Sequence, residues 1–262
     1  MLSTSGRVVD KLGGNMSTPE IHASFRSPED DEVHVRMVLV SDVLGLLPLF
    51  ERLLSKPERE KAGQFVFPAD RERYIAAHGL LRTLLGRYLG VTPEKIEFST
   101  NAFGKPALVS AMHAGSLSFN LAHSGDVIVY AFTLRRKVGI DVEKIRPEIK
   151  VMELAMSQFA DNEINSLQAC APIERADAFF RGWTRKEAYV KARGEGLSFP
   201  LNKFAVTMNR SEPVQISWAE NDPGCASNWS MFNLDLHPGY TAAVVVEGQA
   251  VRVVLMRWDG DV

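Results

Sequence analysis

The sequence has little cysteine: two residues, Cys170 and Cys225, in 262. Neither belongs to a CxxC pair or stands near clustered histidines, which argues against a zinc site or a disulfide framework and suits a reducing compartment. Charge of one sign is also lacking. Thirty Lys and Arg oppose 32 Asp and Glu, a formal net charge of -2, whereas a general nucleic-acid binder carries a basic excess. No run is long enough and apolar enough to span a membrane. The opening "MLSTSGRVVDKLGGNMSTPE" has no apolar segment of the secretory kind, so a cytoplasmic location is expected. There is no GxxxxGK[ST] loop and no GxGxxG after a strand, so neither P-loop nor Rossmann recognition applies.

What remains is ordinary globular composition, 45% hydrophobic and 24% charged, with enough length for one large domain or two modest ones. Residues 1–30 are rich in Ser, Gly, Pro and acid and are expected to form a loose tail. Order should begin at "EVHVRMVLV", where Val33, Val35, Met37 and Leu39 share a strand face. "LLPLFERLLSKPEREKAGQF" is helical in pattern but interrupted by Pro48 and Pro57. "DRERYIAAHGLLRTLLGRYLG" predicts a helix stopped at Gly90. "KIEFST", the pair in "LSFNLAHSGDVIVYAFTL" and "KVGIDVEKI" read as strands.

The second half repeats this order. "DNEINSLQA" and "DAFFRGWTRKEAYVKARGEG" read as helices, "FAVTM" as a strand, and "FNLDLHPGYTAAVVV" echoes "FNLAHSGDVIVYAF". Either FNL recurs by coincidence, or a helix-plus-sheet unit is duplicated. The second alternative predicts an α+β fold. Two similar helix-plus-antiparallel-sheet lobes, residues 31–136 and 137–262, would be related by a pseudo-twofold axis with a ligand-binding cleft between them. Such a duplication also points to a monomer.

Chemistry concentrates in four stretches. In "VGIDVE", strand alternation puts Val138, Ile140 and Val142 on one face and Gly139, Asp141 and Glu143 on the other. Two like charges so close raise each other's pKa unless a cation lies between them, and a hard ion such as Mg2+ suits oxygen ligands. The same alternation also describes a strand whose polar face meets water. In "WTRKEAYVKARGEGL", Trp183, Glu187 and Lys191 follow one helix face. Glu187 and Lys191 form an ordinary surface ion pair there, or Trp183 draws Glu187 toward the core, where it needs Lys191 or a metal as partner. Arg185, Lys186 and Arg193 could equally form a solvated face. His123 and Ser124 in "FNLAHS" are structural hydrogen-bonders or phosphate ligands. Lys105 in "FGKP" is a plain turn lysine or a cation presented at a bend. Together they make the inventory of phosphoryl transfer, where positioning and charge neutralisation dominate.

With these stretches assembled, the sequence resembles the 4′-phosphopantetheinyl transferases of the surfactin-synthetase-activating type. The resemblance rests on "GKP" (104–106), "FNLAHS" (119–124), "GIDVE" (139–143) and "WTRKEAYVK" (183–191), in the family's order. It implies that coenzyme A is bound and that its phosphopantetheine passes to a serine of an apo acyl or peptidyl carrier protein, releasing adenosine 3′,5′-bisphosphate. The carrier could serve fatty-acid, polyketide or nonribosomal-peptide synthesis, or a lysine pathway. Asp141, Glu143 and Glu187 would hold Mg2+, with Mn2+ as the alternative ion. Lys191 would offset leaving-group charge, and Glu187 is a candidate general base. Arg73, Lys105, Pro106, His123 and Ser124 would bind coenzyme A beside Asp141, Glu187 and Lys191. One departure is Ala122, where the family has a serine. Arg71, Arg82, Arg87, Arg185 and Arg193 are candidates for steering an acidic carrier. Two other classes remain: a member that binds coenzyme A or a carrier without reacting, and an interaction module whose charges are surface pairs.

Overall fold

A computed structural model describes residues 7–9, 26–109, 117–196, 199–220, 222–258 and 260. The chain runs β1 (Arg7–Val9), β2 (Glu32–Leu39), α1 (Val40–Val43), α2 (Leu47–Leu53), α3 (Lys56–Ala62), α4 (Pro68–Leu89), β3 (Phe98–Thr100), β4 (Pro106–Leu108), β5 (Leu117–Ser124) and β6 (Val127–Leu134). It continues through β7 (Val138–Lys144), α5 (Val151–Gln158), α6 (Asp161–Ala169), α7 (Arg175–Arg193), β8 (Phe204–Val206), β9 (Ile216–Ala219), α8 (Cys225–Asn228), β10 (Trp229–Leu234), β11 (Tyr240–Glu247) and β12 (Arg252–Arg257). The fold is α+β. No helix among the described residues is long and apolar enough to cross a membrane.

The chain divides into two units. Unit 1 holds residues 1–99, 106–135 and 252–262; unit 2 holds 100–105 and 136–251. This differs from the expected lobes by one residue at the boundary, Arg136, and in two further places. The tip of the β3–β4 ribbon counts with unit 2, and the last strand with unit 1. Of the expected loose tail, residues 1–6 and 10–25 lie outside the described residues. Arg7–Val9, however, form a strand paired antiparallel with β12, and Arg26 forms an ion pair with Glu32.

In unit 1, a five-stranded sheet in the order β1-β12-β2-β6-β5 lies under α4. Val38, Phe119, Ile128, Tyr130 and Phe132 of the sheet pack with Ile75, Leu80, Leu81, Leu84 and Leu85 of the helix. The stretch around Pro48 and Pro57 is interrupted as expected, but just before each proline, which stands in the first turn of the next helix, where its missing N–H is no loss. Ser55 and Glu58 close a capping box at the start of α3. Gly90 ends α4 in the left-handed region. Gly125 (φ 54°) starts the two-residue β5–β6 turn.

Unit 2 repeats the plan. Its sheet runs β10-β11-β7 where unit 1 has β5-β6-β2, each neighbouring pair antiparallel. In each unit a strand is followed by a long helix, a short ribbon and then a hairpin whose first strand contains Phe-Asn-Leu. α7 covers the sheet face bearing Met231, Ala243 and Val245 and ends at left-handed Gly194.

Candidate active site

β7 is the edge strand of the unit 2 sheet, with Asp141 opposite Ala243 and Glu143 opposite Thr241 on β11. The face carrying Gly139, Asp141 and Glu143 does not simply meet water. Val138 to Val142 are all buried, Asp141 to 6% exposure, and only Glu143 is half-exposed. The cause is α7, which lies directly on Gly139. A Cβ there would stand 2.1 Å from the Ala188 carbonyl oxygen and 2.3 Å from the Ala192 nitrogen.

This crossing brings helix and strand groups together. Lys191 Nζ donates to Asp141 Oδ1 at 2.6 Å. The helix lysine therefore pairs with the strand acid rather than closing the local pair with Glu187 that helical spacing also allowed. The second carboxylate oxygen, Asp141 Oδ2, is buried and has no hydrogen-bond partner among the described residues. Burial pushes the Asp141 carboxyl up to about 7; Lys191 opposes the shift, and the charges of Glu143 and Glu187 add to it. Burial also raises Glu187, against Lys191 and with Glu143. Glu187 is half-buried. One turn earlier, Trp183 stacks on Phe159 and Phe179. Glu143 has Arg146 at 4.0 Å.

Three carboxylates thus share one electrostatic environment, and the donor set is that of a hard divalent cation. The orphaned buried oxygen and the raised acids are what such an ion would relieve. Among the described residues, however, no three His, Cys, Asp or Glu side chains are gathered closely enough to hold a metal ion. With Lys191 on Asp141, the acids stand near one another without converging on one point.

Lys105 belongs to the same unit. Its ammonium donates to the carbonyls of Val138 at 2.9 Å and Lys191 at 2.6 Å, and burial lowers its pKa to about 8, with Lys137 adding to the shift. Arg73, Pro106, His123 and Ser124 are part of unit 1. Arg73 pairs with Asp70 at 3.0 Å, Pro106 opens β4, and exposed His123 and half-buried Ser124 end β5. Ala122 is buried opposite Val129.

Several charges read as solvated are not. Lys186 is fully buried, 2.6 Å from Glu163, and donates to the Phe204 carbonyl. Glu163 also accepts the backbone N–H groups of Ala160 and Val206. Burial lowers the Lys186 pKa to about 8 against the pull of Glu163. Arg185 is fully buried and donates to Asn233 Oδ1 and to Thr207. Arg82 is 3% exposed and held by Glu58 and the Pro93 and Ile96 carbonyls. Arg82 and Arg185 therefore cannot steer a partner from the surface, and Arg71 and Arg193 are already paired with Glu51 and Glu195. Sequence reasoning also passed over Asn101, whose Nδ2 donates to the Gly194 carbonyl at 2.7 Å. The one signal was its place at the head of the NAFGK turn, where Asn side chains bond backbone N–H groups two residues on.

The GID-E strand and KE---K helix that form this crossing lie within residues 137–245, which match the family described as "4'-phosphopantetheinyl transferase superfamily". Residues 47–134 match "4'-phosphopantetheinyl transferase, N-terminal". The 4′-phosphopantetheinyl transferase HetI of Nostoc sp. is 34% identical over 218 residues, 83% of this chain and 89% of that one. The 4′-phosphopantetheinyl transferase Sfp of Bacillus subtilis is 31% identical over 195 residues, 74% and 83% of the two chains. A third relative, 4′-phosphopantetheinyl transferase gsp of Aneurinibacillus migulanus, is 32% identical over 170 residues, 65% and 68%. Matches of that extent, over both units and with the strand acid Asp141 and the helix lysine Lys191 in contact, make this chain a member of the 4′-phosphopantetheinyl transferase family.

Proposed function

We propose that this chain transfers the 4′-phosphopantetheine of coenzyme A to a serine of an apo acyl or peptidyl carrier protein. The reaction depends on Mg2+, releases adenosine 3′,5′-bisphosphate, and is carried out in the cytoplasm by a monomer. The observation that supports this most is Asp141: a buried carboxylate with one oxygen on Lys191, the other without a partner, and two more acids beside it.

Asp141, Glu143 and Glu187 are the residues that would hold the metal, which when bound supplies positive charge against the pyrophosphate. The serine oxygen forms a bond to the phosphorus nearer the pantetheine as the bond from that phosphorus to the departing bisphosphate oxygen breaks. Lys191, half-buried and 2.6 Å from Asp141, offsets charge building on the leaving group. Glu187, its pKa raised by burial, is suited to take the serine proton. Arg73, Pro106, His123 and Ser124 are proposed to contact coenzyme A; Lys105, expected among them, is left out of this proposal because its ammonium is engaged by the Val138 and Lys191 carbonyls.

The test is mass spectrometry of purified apo-carriers from fatty-acid, polyketide and nonribosomal-peptide systems, incubated with this protein, coenzyme A and Mg2+. A gain of one phosphopantetheine is expected, abolished by chelation, restored by Mg2+, and absent with Asp141→Ala although that variant keeps its fold. No gain on any carrier would overturn the reading; undiminished transfer by Asp141→Ala would overturn the metal assignment.

A further inference from the structure

We propose that Lys105 is a positioning residue whose ammonium staples the last turn of α7 to the first residue of β7 and so holds Lys191 opposite Asp141. This rests on the reading that Asp141 and Lys191 belong to the active site.

A helix leaves its final carbonyls without partners. In α7 the Gly194 N–H closes on Val190, so the Lys191 carbonyl is the next one in need. Lys105 Nζ takes it at 2.6 Å and takes the Val138 carbonyl at 2.9 Å with the same ammonium. A cation at this end also complements the helix dipole. The residue after Val138 is Gly139, where the backbone of α7 touches β7. The staple therefore sits beside the crossing whose spacing determines whether Lys191 Nζ reaches Asp141.

The loop that carries Lys105 is built for the task. Asn101 Oδ1 accepts the backbone N–H groups of Phe103 and Lys105, and its Nδ2 donates to the Gly194 carbonyl just past the helix end. Gly104 turns through φ 84°, a conformation that L side chains resist. One five-residue turn thus caps α7 at two carbonyls, from two side chains. A lysine whose task was to bind a phosphate would gain nothing from aiming at backbone carbonyls.

The test compares Lys105→Met, Lys105→Arg and Asn101→Ala with the unchanged protein in steady-state transfer to an apo-carrier, together with coenzyme A titration by calorimetry and thermal melting. For Lys105→Met, kcat should fall about 10²-fold, as for an ångström-scale misplacement of a reacting group, while KM and Kd for coenzyme A stay within about twofold. Lys105→Arg, which still donates to carbonyls, should recover part of kcat, and Asn101→Ala should lower kcat in the same way. The proposal is overturned if Lys105→Met raises KM and Kd for coenzyme A with kcat intact, the pattern of a phosphate ligand. It is also overturned if only the melting temperature changes, or if kcat survives in both Lys105→Met and Asn101→Ala. Should Lys105→Met fail to fold, Lys105→Arg and Asn101→Ala decide by the same pattern. Lys191→Ala and Asp141→Ala, run alongside, check the underlying reading separately, because both keep the backbone carbonyls that Lys105 grips.

Discussion

Gly139→Ala is the sharpest test of the strand–helix crossing, because it adds one methyl group and no chemistry. Gly139 is not in the left-handed region, so alanine meets no backbone objection; the obstacle is space alone. The new Cβ would stand 2.1 Å from the Ala188 carbonyl oxygen, 2.3 Å from the Ala192 nitrogen and 2.8 Å from the Lys191 carbonyl carbon. All three are backbone atoms, so no side chain can swing aside. Ordinary contact begins at 3.4 Å, so α7 and β7 must part by about 1 Å or more. That stretches the 2.6 Å bond between Lys191 and Asp141 beyond the ~3.2 Å reach of a good hydrogen bond. Overpacking of this kind costs about 1–3 kcal/mol, read as a lower urea midpoint. Displacement of Lys191 and Glu187 from Asp141 should slow transfer about 10²-fold, read by mass spectrometry of the carrier over time. A Gly139→Ala protein with an unchanged midpoint and full transfer rate would refute the claim that this contact sets the site.

Three further expectations follow from the same geometry. Lys191→Ala should slow transfer about 10²-fold or more and lower turnover more than stability, because the ammonium is partly exposed although buried Asp141 loses its counter-charge; early melting with normal turnover would mark a merely structural pair. His34, in a buried chain with Tyr88 and Glu32, has its pKa lowered to about 4 by burial, with Glu32 opposing. Below pH 6.5 the unfolded chain gains a proton that the folded one refuses, so stability should fall by about 2 kcal/mol between pH 6.5 and 5. His34→Gln should flatten that slope in urea titrations, and an unaltered slope would exclude His34 as its source. Glu163→Leu leaves the Lys186 ammonium buried without its counter-charge and should cost about 3–5 kcal/mol. Adding Lys186→Met should return part of this and not all, since Ala160 and Val206 still lose their acceptor; a double variant no more stable than Glu163→Leu would show that the cost lies elsewhere.

Long periodic elements were legible in the sequence, and close tertiary partnerships were not. α4 and α7 announce themselves by apolar spacing and by Gly90 and Gly194, whose left-handed conformations end them. The β5–β6 and β10–β11 hairpins show through alternation and turn residues. Pro48 and Pro57 marked breaks in their stretch but not their sense: each opens a helix rather than cutting one, because proline is as welcome in the first turn as it is unwelcome in the middle, and only Pro57 has a capping box, at Ser55, to show it. β12 was missed because a parallel partner more than two hundred residues away leaves no local trace. At the site, alternation placed Asp141 and Glu143 on one face, but that face is buried by a helix whose approach depends on Gly139. Helical spacing offered Lys191 to Glu187; distance in the fold gives it to Asp141. Arg82, Arg185 and Lys186 looked like surface because their partners, mostly carbonyls and two acids from other elements, cannot be read from neighbouring residues.

The placement of β12 has a consequence for how the molecule is made. It lies between β1 and β2, inside the unit 1 sheet, yet it follows every described strand of unit 2 in the sequence and is synthesised after them. Every segment of unit 2 leaves the ribosome before the strand that completes unit 1. Until then β2 presents an open edge, a template for unwanted pairing with other chains. The half of the protein that begins first is therefore finished second, and in the interval a nascent chain is open to capture by chaperones or by its own copies.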